Sequence, residues 1–220
     1  MSVSGLSLVL FLLFHMSMNL AAVFSTEAYN AICEFLGANW YALAGTLILA
    51  AGVVVHLVYA TVLTLHNRSS RGSQRYAMTA EPEGVTWASR NMYVLGIIIV
   101  LGLLLHLYNF WYNMQFAEII GNHELGPFPP ADGAAYIAAL FSSPVYCIIY
   151  LVWFAAIWFH LTHGFWSAFH TIGWDNQTWL PRLKRIANVV ATIVFLCFAL
   201  VVIVFYLRSL GVCGGSCAGF

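Results

Sequence analysis

Apolar positions in this chain run in long unbroken stretches rather than alternating with polar ones. Five such stretches are apparent, at about 4–24, 40–65, 91–116, 144–170 and 186–207. Each is near the ~20 residues a helix needs to cross a bilayer core. Backbone groups in lipid must be satisfied internally, so these stretches predict helices. The two-residue alternation of a membrane barrel is absent. Between them lie a short polar loop at 25–39, the segment HNRSSRGSQRYAMTAEPEGVTWASR, the Gly- and Pro-marked connection QFAEIIGNHELGPFPPADG with the short apolar piece AAYIAALF, and the loop TIGWDNQTWLPRLKR.

Composition agrees. The chain has 220 residues, 62% hydrophobic and 7% charged, against about a quarter charged in soluble domains. Mean hydropathy is +0.85. The expectation is a single all-α integral membrane domain over 1–220, a five-transmembrane-helix bundle. No separate soluble domain fits. Net charge is zero with His neutral, and nothing points to nucleic acid. The first apolar stretch lacks a basic lead-in and a small-residue cleavage site, so it reads as a retained span.

Charge placement predicts orientation. Of eight Lys and Arg residues, Arg68, Arg71, Arg75 and Arg90 lie between spans two and three, and Arg182, Lys184 and Arg185 between spans four and five. Only Arg208 lies elsewhere. The other two loops hold Glu27, Glu34, Glu118, Glu124 and Asp132 without a Lys or Arg. The positive-inside rule then puts the N-terminus in the cytoplasm and the C-terminus outside.

The chemistry lies in the histidines. His15, His56, His106 and His160 occupy spans one to four, one each. Each lies roughly 20 Å into a core about 30 Å thick. Because successive helices run in opposite directions, His15 and His106 share the outer half and His56 and His160 the inner half. Two facing imidazoles at equal depth are what a six-coordinate haem iron requires. Two such pairs make a fold enclosing two b-type haems, an electron path across the membrane. The plainer alternative is four separate histidines, each hydrogen-bonded to a neighbouring helix. A transporter pathway would more usually bring Asp or Glu into the spans.

Other residues are assigned more loosely. His163, at i+3 from His160, could replace it as ligand or bind a haem propionate. His66 and His170 sit at span ends, and His123 in an outer loop. Arg68, Arg90 and Lys184 are placed to pair with propionates of the inner haem, or serve only as orientation signals. Gly45, Gly52, Gly96, Gly102 and Gly164 leave room for a flat macrocycle, or for close helix packing. Trp40, Trp87, Trp111, Trp174 and Trp179 read as interfacial belt residues. Five cysteines occur without CxxC or CxxCH, so covalent c-type haem is not indicated. Cys213 and Cys217 flank a Gly-Gly-Ser tail, with a disulfide or no role both open.

Several stretches resemble one family. GLSLVLFLLFHMSMNL, TEAYNAICEFLGANW, HLVYATVLTLHNR, WASRNM, LHLYNFW and FSSPVYCIIYLVWFAAIWFHLTHGFWSAFHTIGW are similar to the single-subunit dihaem cytochrome b anchor of succinate:quinone oxidoreductases and fumarate reductases (complex II). The similarity extends over about residues 5–210, and HLTHGFWSAF is its most specific part. It implies His15 and His106 as ligands of the distal haem iron, and His56 and His160 of the proximal one. It makes His163 a propionate or neighbouring contact. It implies an iron–sulfur subunit and a flavoprotein with covalent FAD on the basic, cytoplasmic face, in a bacterial cytoplasmic membrane. Electrons would pass through both haems to a quinone, mostly menaquinone in dihaem members. The quinone would sit near the distal haem, where Glu34 is the nearest loop carboxylate for proton exchange. Two features depart from the family. The basic amphipathic segment usual before span one is not seen. Trp158 stands where some fumarate reductases carry a Glu for compensating proton transfer, which favours succinate oxidation or an enzyme without that pathway. Cytochrome b subunits of nitrate reductase, hydrogenase or formate dehydrogenase type are the nearest alternative, but often place two ligands on one helix.

Overall fold

The computed structural model describes residues 1–70, 86–174 and 176–212, and among these no strand occurs. The helices in chain order are α1 (Ser2–Phe24), α2 (Thr26–Ala38), α3 (Trp40–Ser70) and α4 (Trp87–Arg90). They continue with α5 (Met92–Ile120), α6 (Gly133–Phe141), α7 (Pro144–Thr171) and α8 (Trp179–Ser209). The helices α1, α3, α5, α7 and α8 are each long and apolar enough to cross a membrane. The chain is therefore a multi-pass, all-helical membrane protein.

Three boundaries differ from the sequence expectation. The polar loop at 25–39 is largely α2. Ser25 caps it, its hydroxyl accepting from the Ala28 N–H at 3.1 Å, and Glu27 sits in the first turn, where the helix dipole favours a negative charge. The fifth span begins at Trp179, not near 186, so Arg182, Lys184 and Arg185 lie on α8 rather than in a loop. Pro181 is tolerated there because a first-turn N–H has no intrahelical partner to lose, and the basic side chains keep their charges near the interface. The third span runs on to Ile120, and its stretch Leu107–Phe116 is wound as a π-helix. Such winding turns later residues toward a different face than an unbroken α-helix would.

The core gathers where α1, α6, α7 and α8 meet. Phe141, Tyr150, Phe154, Val194, Phe198, Val202 and Phe205 form its centre, with the Phe154 and Phe198 rings stacked at 5.2 Å. Ala187 and Ala191 on α8 are fully enclosed; small residues let helix backbones approach in lipid. By contrast α3 buries no residue at all.

One end of the bundle carries a polar cap. Asn30 on α2 donates to Asp132 Oδ1 at 2.8 Å and accepts from the Ala134 N–H at 2.9 Å. Asp132 itself caps α6 through the Ala135 N–H at 3.1 Å. At that end Arg208 donates to the carbonyl of Val23 at 2.8 Å, satisfying α1's last turn. Arg68, Arg90 and Lys184 lie at the opposite, basic end.

Candidate functional site

Four helices each place one histidine toward a neighbour. The His15 and His106 rings, on α1 and α5, have centroids 5.7 Å apart. The His56 and His160 rings, on α3 and α7, are 6.4 Å apart. Depth along the spans selected the same two pairs. The pairs stand at different levels. His56 Nδ1 lies 3.2 Å from Ser4 Oγ on α1, while His15 is 15 − 4 = 11 residues further along that helix. At about 1.5 Å per residue the two levels are about 16 Å apart.

The separations suit a shared metal. With a metal–nitrogen bond of about 2 Å and a ring centre about 1 Å behind its nitrogen, two imidazoles on opposite sides of one ion have centres about 6 Å apart. No group of three or more His, Cys, Asp or Glu converges among the described residues. That bears on bare-ion sites, which draw most ligands from the protein, whereas a haem iron needs two.

Hydrogen bonding separates His106 and His160, but not His56, from ordinary helix-bridging histidines. The Nδ1 atoms of His106, His160 and His163 are buried without a partner among the described residues. An unsatisfied buried nitrogen costs about 1–3 kcal/mol. His106 is enclosed by aromatic rings, Phe110 at 5.2 Å, Trp153 at 5.7 Å and Tyr150 at 6.4 Å. His15 lies between Phe11 and Phe198. Asn19, one turn on, holds the His15 carbonyl at 2.8 Å and lies 3.4 Å from each ring nitrogen. The buried Tyr29 of α2 donates to Asn19 Oδ1 at 3.1 Å.

Glycines around the pairs fall into two kinds. A Cβ on Gly102 would overlap the Trp153 ring, so this glycine serves a close contact. Gly52 and Gly96 are half-buried, yet a Cβ on either would meet no atom within 4 Å. Close packing does not account for them, and Gly52 is one turn before His56 on the same face.

At the basic end, Lys184 Nζ lies 4.7 Å over the Trp166 ring, and His163 packs edge-on against the same ring at 5.0 Å. Arg68 is exposed in the last turn of α3, and Arg90 is exposed at the end of α4. Trp87 beside it packs on Phe159 at 5.2 Å. His66 and His170 are exposed at helix ends. Trp158 donates to Thr192 Oγ1 at 3.0 Å, a tie between α7 and α8.

At the capped end Glu34 is exposed on α2. The carboxylate lining the adjoining cavity of about 80 Å³ is Glu118, together with Cys33, Gly37, Met114 and Gln115. Burial pushes the Cys33 thiol up to about 11, leaving it a neutral wall of that cavity. His123 is exposed and faces Glu118 at 3.6 Å. Arg71, Arg75, Cys213 and Cys217 lie outside the described residues.

Sequence reading missed Ser4, Asn19, Trp153 and Trp166 as neighbours of the histidines. Asn19 at i+4 from His15 and Trp166 at i+3 from His163 carry a helical-spacing signal; Ser4 and Trp153 are reached only through tertiary packing. Comparison with family models, curated proteins and solved structures gave no match.

Proposed function

We propose that the chain is the membrane anchor and electron-transfer subunit of a succinate:quinone oxidoreductase or fumarate reductase. The observation that carries the electron-transfer reading is the two facing histidine pairs at two levels. His15 and His106 would hold one b haem, and His56 and His160 the other. Their residues fit that group: the ring separations match two ligands on one iron, and Gly52 and Gly96 leave space beside the rings. When bound, the two b haems supply one-electron carriers at two depths. The chain's part is to fix the imidazoles, exclude water with Phe11, Phe110, Trp153 and Phe198, and offer Lys184, His163, Arg68 and Arg90 toward propionates.

Assignment to complex II rests on the stretches quoted above, HLTHGFWSAF foremost. In that reading the basic end faces the cytoplasm and receives the iron–sulfur subunit, which carries electrons from the FAD flavoprotein. The capped end faces outward and serves the quinone, menaquinone in most dihaem relatives. Among the carboxylates at that end, Glu34 is exposed on α2 and Glu118 lines the cavity. In that reading the dicarboxylate site belongs to the flavoprotein rather than to this chain.

The test is electron entry from the dicarboxylate side. Membranes holding the chain with its partner subunits should show b-haem reduction by succinate, or oxidation of reduced haem by fumarate. Haem that responds instead to formate, hydrogen or nitrate would assign the chain to another membrane oxidoreductase. A folded chain without haem would remove the electron-transfer reading and favour a transporter.

A further inference from the structure

Ser4 is placed to decide which nitrogen of His56 carries the proton. Its hydroxyl donates to the Met1 carbonyl at 2.9 Å, which uses the one proton the side chain has. At 3.2 Å from His56 Nδ1, Ser4 Oγ can then only accept. In that arrangement the ring supplies the hydrogen, with Nδ1 protonated and Nε2 keeping its lone pair. The first turn of α1 lies against the ring, with a Cβ on Gly5 coming 3.6 Å from His56 Cε1, so the contact is built into helix packing. His160, the facing ring, has no such partner at Nδ1 among the described residues.

We infer that Ser4 is a positioning residue for His56, holding the imidazole as the Nδ1–H tautomer with Nε2 directed to a metal. This rests on the reading of His56 as a haem ligand. Metal-bound histidines usually donate their second N–H to an acceptor, which fixes the ring and makes it a stronger donor. A stronger donor stabilises the oxidised iron, so losing the acceptor should raise the midpoint potential of that haem alone. The sequence gives no hint of the contact, because positions 4 and 56 meet only when α1 and α3 pack.

The test compares Ser4→Ala with Ser4→Thr, which keeps the hydroxyl, in the purified full chain. Ser4→Ala should retain both haems and shift one of two midpoints upward. The shift should equal a two- to tenfold change in the oxidised-to-reduced ratio, tenfold being about 59 mV for one electron. Ser4→Thr should restore the wild-type value. The shifted haem must be the one that His56→Ala removes. Unchanged midpoints in Ser4→Ala, or equal movement of both, would overturn the inference. A second readout needs no haem: ¹⁵N spectra of histidine rings in the apoprotein should show His56 leaving the pure Nδ1–H tautomer in Ser4→Ala. An unchanged His56 signal there would also overturn it. A changed signal in a chain that never binds haem would uphold the Ser4 contact and fail the haem reading instead.

Discussion

Among the glycines of the spanning helices, Gly102 should tolerate an added methyl least. Gly102 is one turn before His106 on α5, and its missing Cβ is where the Trp153 ring lies. Trp153 is held at two points. Its Nε1 donates to the Ile99 carbonyl at 3.0 Å, and its ring packs 5.7 Å from His106. A rigid indole cannot yield as a flexible side-chain end would. Overpacking of this kind costs about 1–3 kcal/mol, and breaking the indole hydrogen bond adds about 1 kcal/mol. The better helix propensity of alanine returns about 1 kcal/mol. The net loss is about 1–3 kcal/mol, or roughly 5 °C in Tm for a chain of this size. Displaced Trp153 also disturbs His106, so the haem proposed for the His15 pair should bind less tightly. Gly45→Ala is the control, since its Cβ would meet nothing within 4 Å. The assay is thermal unfolding in detergent together with haem content. A Gly102→Ala protein as stable as wild type, or a Gly45→Ala protein equally damaged, would refute the reasoning.

Other outcomes follow from the same contacts. Arg208→Met removes charge-assisted bonds to the Val23 and Ala22 carbonyls and should lower stability by about 1–3 kcal/mol, measured by Tm in detergent. Cys33, with its thiol pushed up to about 11 by burial, should resist maleimide at pH 8. Its labelling rate should climb about tenfold per pH unit as thiolate forms; rapid labelling at pH 8 would contradict the burial. Asn30→Ala cuts the link from α2 to Asp132 and the α6 N-terminus and should cost about 1–3 kcal/mol. Limited proteolysis would detect it as earlier cleavage between α5 and α6. Tyr29→Phe frees Asn19 from its hydroxyl partner and should alter the optical spectrum of the haem proposed at His15 without altering that of the other proposed haem.

Much of the architecture was legible because lipid imposes a simple rule. A run of apolar residues long enough to cross it must be a helix, so all five spans could be seen. The histidine pairs were legible for the same reason: depth in a straight helix follows residue count, and antiparallel neighbours sort the four into two levels. What failed was structure at the ends of spans. α2 looked like a polar loop because its composition is mixed, although Ser25, Glu27 and the apolar Ile32, Phe35 and Leu36 mark an amphipathic surface helix. The start of α8 was misplaced because Pro181 and three basic residues resemble a linker, yet each is compatible with a first turn at the interface. The π-winding after His106 has no periodic signature. Ser4 beside His56 and Trp153 beside His106 depend on how helices pack, which span counting cannot reach.

The pairing itself can be tested directly by counting haems in the purified chain and in four single variants, His15→Ala, His106→Ala, His56→Ala and His160→Ala. Two b haems per wild-type chain are expected. The first two variants should lose one and the same haem, and the last two should lose the other. A single haem, or loss of the same haem from His15→Ala and His160→Ala, would contradict the two-level arrangement.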